Sequence, residues 1–219
     1  LWSLNPGGME VLIPLYLKEF QDYTPNIFSM SPDQGSRLVI DPKFYSVVFG
    51  HSKKFIAYIK LFLFAKRNNT AIFHCLNAGP FILVILRLAS VKRILYHIHG
   101  TIYWKNDLQK IIRLLAWNFG IFEGIKFVAN SFYSLKVFRD KICLECDIKV
   151  ITNPFDTKRF KFNCKKKTNN INISYVGRLV HGKNLFNWIK ISSELAQVNP
   201  EIVFHLYGDG PLRSELERF

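Results

Sequence analysis

Short runs that are apolar nearly throughout alternate along this chain with longer stretches of mixed character. Leu1 to Leu4, Asn26 to Met30, Ala71 to Cys75, Arg93 to Ile98, Ile125 to Ala129 and Ile148 to Ile151 read as strands. Strands of this kind belong to parallel sheets covered on both faces, because half-exposed antiparallel strands alternate instead. Helical patterns lie between them, among them Gly8 to Phe20, Lys53 to Lys66, Asp107 to Asn118 and Ser131 to Lys141. The alternation predicts a doubly wound α/β domain with a parallel sheet. The run Asn163-Cys164-Lys165-Lys166-Lys167-Thr168-Asn169-Asn170 has no apolar anchor and is the expected linker. Beyond it, Ile171 to Val176, Asn184 to Ala196, Ile202 to Tyr207 and Leu212 onward predict strand, helix, strand and helix. The expected organisation is a first domain over 1–162, a linker over 163–170 and an incomplete second α/β domain over 171–219.

Composition supports a globular chain: 49% of the 219 residues are hydrophobic and 15% aromatic, far from the polar make-up that keeps chains disordered. No signal peptide is visible at Leu1-Trp2-Ser3-Leu4, and the longest apolar runs stop at Lys66 and Arg87, well short of a bilayer span. The four cysteines are unevenly spaced, and Cys143-Leu-Glu-Cys146 lacks the second pair of a zinc site. Reduced thiols, no metal and no cofactor are expected.

Charge changes the picture more. The formal net charge is +14, and between Asp41 and Asp107 there is no acidic residue against ten lysines and arginines. Such a field attracts phosphorylated ligands, an anionic membrane or nucleic acid. Nucleic acid is not expected, since no stacking or groove-reading motif accompanies the charge.

The most informative segment is Tyr175-Val176-Gly177-Arg178-Leu179-Val180-His181-Gly182-Lys183-Asn184-Leu185, a strand entering a glycine turn with two cations before a helix. Gly177 permits close backbone approach, Arg178 offers a planar fork of donors, Lys183 adds a point charge, and the helix N-terminus favours anions. A basic solvated loop is the other reading of the same residues. Asn5-Pro6-Gly7-Gly8-Met9-Glu10 places paired glycines between the first strand and the first helix. Ile94 to Thr101 brings His97 and His99 to the end of a strand, where open α/β sheets bind ligands. A His-x-His metal pair would need a third ligand, and none is evident. Ser131 reads as a helix N-cap, and Asp156 as the cap of a short helix anchored by Phe160. Tyr207-Gly208-Asp209-Gly210-Pro211 is a second strand-to-helix turn, with Pro at the helix start.

In this order, from Gly7 to Glu217, the segments resemble the GT-B glycosyltransferases of the large retaining family 4. Gly177 to Leu185 is similar to that family's G-R-L-x-x-x-K-N/G-L signature, Gly7 to Glu10 to its G-G-x-E turn, and Gly208 to Pro211 to its G-x-G-P turn. Asn153 to Phe160 resembles its N-G-V-D-x-x-x-F stretch, with Pro154-Phe155 in place of Gly-Val. The resemblance implies a GT-B fold, a doubly wound N-terminal domain followed by the start of a Rossmann-like second domain. It implies transfer of a glycosyl group, with retention, from a nucleotide-sugar donor to a carbohydrate or lipid-linked acceptor, as in cell-surface polysaccharide, lipopolysaccharide or glycolipid synthesis. Arg178 and Lys183 would hold the donor diphosphate and His99 would act in the sugar cleft. Gly7, Gly8, Gly177, Gly208 and Gly210 would line that cleft. The expected location is the cytoplasm, peripheral to the inner face of the membrane. The family's later Glu-x7-Glu segment is not in these residues, so the chain is expected to be a piece of a longer enzyme, or a truncated non-catalytic relative acting as a binding module. A nicotinamide dehydrogenase fits less well, since Gly7-Gly8 lacks the G-x-G-x-x-G turn.

Overall fold

A computed structural model describes residues 12–19, 25–32, 45–76, 78–121, 124–158, 160–161 and 170–219. The chain divides into two compact units, Leu1–Phe160 and Lys161–Phe219. Both are α/β with parallel strands. The first-strand segment Leu1 to Leu4, the turn carrying Gly7 and Gly8, and the expected linker apart from Asn170 lie outside the described residues.

In the first unit, helix α1 (Ile13–Glu19) precedes strands β1 (Asn26–Ser29) and β2 (Ser46–Phe49), which pair in parallel. Helix α2 (Lys54–Arg67) leads to a second sheet of β3 (Ile72–Leu76), β4 (Arg93–Ile98), β5 (Ile125–Ala129) and β6 (Ile148–Val150), in that spatial order and all parallel. Its crossovers are α3 (Pro80–Leu88), α4 (Asp107–Gly120) and α5 (Phe132–Lys141). The apolar run over Phe81 to Leu86 is thus a helix that periodicity does not announce, opened by Gly79 and by Pro80 in its first turn.

The two faces of the four-stranded sheet are chemically different. The register stacks Cys75 beside Tyr96, Tyr96 beside Phe127 and Phe127 beside Ile148, so one face is apolar from edge to edge. Ala57, Leu61 and Ala65 of α2, Ile82, Leu83 and Leu86 of α3, Trp117 of α4 and Phe138 of α5 close over it in one core. Trp117 meets Phe138 edge-on at 5.2 Å between centroids, and the Tyr96 hydroxyl donates to the Ala78 carbonyl. Gly120 lets α4 approach α3, since a Cβ there would lie 2.9 Å from Leu83 Cβ. The opposite face carries exposed Arg93 and Lys126 at its N-terminal end and a row of buried Leu76, His97 and Val128 at its C-terminal end, which exposed Lys149 closes at the β6 edge. A face that is polar at one end departs from the expectation of strands apolar on both sides.

Ser131 caps α5 as expected, its Oγ accepting from Ser134 N at 3.1 Å, and Ser134 Oγ donates onward to Asn130 Oδ1 at 2.8 Å. Ser131→Ala is expected to destabilise the first unit by about 1 kcal/mol, read as a lower urea midpoint at unchanged slope. Asp156 Oδ1 accepts from Lys158 N at 3.0 Å and its carbonyl from Phe160 N at 3.0 Å, the contacts of a cap on a single turn. One expectation is corrected here. Phe160 is exposed and stacks on Phe155 at 5.1 Å instead of anchoring in a core. The thiol expectation is corrected as well: Cys143 and Cys146, with Cα atoms 5.5 Å apart, form a disulfide between α5 and β6, while Cys75 is free and buried.

The second unit is a βαβ crossover. Strands β7 (Ile171–Val176) and β8 (Ile202–Tyr207) pair in parallel over their full length through α6 (Leu185–Val198), and a short turn of helix, α7 (Arg213–Leu216), follows. Leu179, Leu185, Leu212 and Leu216 form its core, and Trp188 of α6 packs edge-on against Phe204. The other sheet face shows Asn172, Ser174, Val176, Val203, His205 and Tyr207, with His205 Nε2 and Asn172 Oδ1 2.8 Å apart.

Candidate functional site

Each unit gathers polar groups at the C-terminal ends of its parallel strands. In the first unit, His97 lies near the end of β4 and His99 two residues later. In extended backbone such a pair shares a face, and the ring centroids are 4.1 Å apart. The third member is His74, brought in by β3, with its Nε2 3.3 Å from His97 Nδ1 and its ring stacked on that of His97. Tyr16 of α1 closes the group, edge-on to His74 and His97 at 6.0 and 6.2 Å. Tyr16 is held there because Ile13 and Leu17 of the same helix pack on β1 and β2.

The Tyr16 hydroxyl, His97 Nε2 and both ring nitrogens of His99 are buried and make no hydrogen bond of ordinary geometry among the described residues. Buried polar atoms nearly always have partners, so four unpartnered ones converging from α1 and the end of β4 mark a place suited to a hydroxyl-bearing ligand. Burial lowers the His74 pKa to about 4, helped by the neighbouring His97. Burial also lowers that of His99 to about 3, helped by His97 and His74. His97 is lowered too, chiefly by burial, with the Ile151 backbone close enough to oppose the shift without completing a good hydrogen bond. All three imidazoles are therefore neutral at physiological pH and each can donate once and accept once. Among the described residues no three ligating side chains converge on a point that a metal could occupy.

Folded pKa values below the unfolded value mean that the unfolded chain takes up protons first as the pH falls. Stability is complete above pH ~6.5 and declines down to about pH 4, where His74 itself protonates. Allowing for the partial exposure of His74, the expected loss over that window is about 2 kcal/mol. Urea midpoints measured across it should fall steadily in the wild type and less in His74→Asn; equal slopes would remove His74 as the cause.

In the second unit, the turns after β7 and β8 interlock. Gly177 N donates to Tyr207 O at 3.0 Å, Leu179 N to Asp209 O at 2.9 Å and Leu212 N to Leu179 O at 3.2 Å. Between the turns lies an open concavity lined by Val176, Gly177, Arg178, Tyr207, Gly208 and Asp209. The Arg178 side chain is exposed and enters no hydrogen bond or ion pair among the described residues. Asp209 puts a carboxylate on the same rim, but its Oδ1 accepts from Gly210 N at 2.8 Å and its charge acts on Arg213. Lys183 is exposed in the helical turn His181–Lys183, outside the lining residues. Asn184 then adopts φ 54°, a left-handed conformation open to Asn and Gly, and α6 starts after it. Gly210 does not line the concavity; it packs against the Leu179 backbone.

Of the residues singled out from sequence, Arg178, Gly177 and Gly208 come together, His99 sits in the other unit, and Gly7 and Gly8 lie outside the described residues. His74 and Tyr16 were not foreseen. Alternation on β3 puts His74 on the face of Leu76, the register partner of His97, but that pairing is not written in one sequence.

Neither a protein-family model nor a curated protein matches the chain. No helix among the described residues is long and apolar enough to cross a membrane.

Proposed function

We propose that the chain carries the first domain and the start of the second domain of a GT-B glycosyltransferase of the retaining family 4 type. The observation that supports this best is the Arg178 guanidinium at the end of β7, without a hydrogen bond or ion pair among the described residues, on a concavity walled in part by Gly177 and Gly208. A planar fork of donors at such a place suits a diphosphate.

On this reading the bond between the sugar's anomeric carbon and the diphosphate oxygen breaks, and the electron pair leaves with the nucleoside diphosphate. Arg178 and Lys183 stabilise that developing charge. The acceptor's hydroxyl oxygen forms the new bond and gives up its proton to the departing diphosphate. His99, neutral with both ring nitrogens unpartnered, binds a sugar or acceptor hydroxyl, and His74, His97 and Tyr16 set its position.

Calorimetric titration of the chain with UDP, GDP and ADP, followed by a sugar-nucleotide turnover assay, tests the reading. One of the three is expected to bind with 1:1 stoichiometry. Binding supports the reading with or without turnover by these residues alone, and no binding by any of them would overturn the proposal.

A further inference from the structure

The outer surfaces of two helices in the first unit are apolar where an α/β domain normally presents polar side chains. Helix α2 buries Ala57, Leu61 and Ala65 on its inner side, while Phe55, Ile59 and Leu63 run along its outer side at four-residue spacing, 74%, 44% and 47% exposed. Cations border this line. Lys53 and Lys54 stand at the helix start, Lys66 places its Nζ 5.8 Å over the Phe62 ring, and Arg67 ends the helix. Helix α2 contains no acidic residue, nor does any position between Asp41 and Asp107. Helix α4 behaves in the same way: Leu108, Ile111, Ile112, Leu115 and Phe119 form an exposed stripe, while its inner side uses Ala116, Trp117 and Gly120. Helix α3 packs against both and exposes Phe81 and Leu88.

We propose that the outer face of α2, extended by the stripe of α4, docks this protein in the plane of an anionic lipid surface. An apolar line bordered by lysine and arginine suits a bilayer interface, where the rings and aliphatic chains enter the acyl boundary and the long cationic side chains reach the phosphates. A stretch free of anions adds attraction to a negative leaflet and meets no repulsion from it. Crossing is ruled out by length, since 14 residues rise about 21 Å against a hydrocarbon core of about 30 Å. The inference stands on this surface alone and does not depend on the glycosyl-transfer reading.

Co-sedimentation with phosphatidylcholine vesicles, with and without phosphatidylglycerol, tests it. The wild-type chain is expected to bind only the anionic vesicles and to release as salt is raised. Phe55→Ser with Leu63→Ser should weaken partitioning about tenfold or more, and Lys66→Gln with Arg67→Gln should flatten the salt dependence. Both pairs alter exposed positions, and an unchanged thermal melt confirms that each variant is folded. Equal binding to neutral vesicles, or full binding by the folded Phe55→Ser/Leu63→Ser variant, would overturn the proposal. So would a wild-type chain that ignores vesicles but self-associates until Phe55 and Leu63 are replaced, because a second copy would then cover the face.

Discussion

Gly208→Ala is expected to destabilise the second unit by about 3 kcal/mol or more. A Cβ at that position would stand 1.9 Å from the Gly177 carbonyl oxygen and 3.1 Å from its carbon. The obstacle is backbone, so no rotamer change relieves it. The Gly177 peptide cannot retreat freely either, because Gly177 N is bonded to Tyr207 O and Leu179 N to Asp209 O. Gly208 therefore meets a demand for space rather than for an unusual dihedral angle. Gly182 is the control, since a Cβ there meets no atom within 4 Å, and Gly182→Ala should change stability by no more than about 0.5 kcal/mol. Hydrogen exchange at the β7 and β8 amides separates this loss from anything in the first unit. Equal protection in Gly208→Ala and wild type would show that the turns do not interlock as described.

The same turns show where the sequence was legible. Strands β4 and β5 lie where their apolar runs predict, because a strand buried in a parallel sheet announces itself without help from its neighbours; β7 and β8 also lie where predicted, although they are largely unburied. Helix α3 did not, since its run from Pro80 to Leu86 is apolar throughout and has no polar face to display a period. Strand β2 is four residues long and gives too little pattern to separate it from a loop. Helix α4 misleads in a different sense: periodicity points an apolar stripe inward, yet its inner side is built on a single tryptophan and two small residues that let α3 come close. The histidine cluster was half visible. His97 and His99 share a strand end, whereas His74 reaches them only through the parallel register of β3 and β4, which no local pattern encodes. Gly208 and Gly210 were read as part of a ligand cleft, and their glycine character is already required by the backbone crossing beneath it.

Arg178→Ala should weaken nucleoside diphosphate binding by about 2 kcal/mol, roughly thirtyfold. The side chain is exposed and bonded to nothing among the described residues, so its removal leaves no buried group unpaired and little stability is at stake. Arg178→Lys keeps the charge but replaces a planar fork by a point donor, and it should recover only part of the affinity if the contact is bidentate. Lys183→Ala should cost less, because Lys183 stands outside the concavity and acts on an anion there mainly through its charge. The ordering wild type, Lys183→Ala, Arg178→Lys, Arg178→Ala, measured calorimetrically at one ionic strength, thus separates fork geometry from charge. Both Arg178 variants binding as tightly as wild type would leave the β7 turn as a basic solvated loop and remove the main support for a diphosphate site. A uniform loss in all three, erased by salt, would mean that the anion is held by the general field of a +14 chain rather than by a built site.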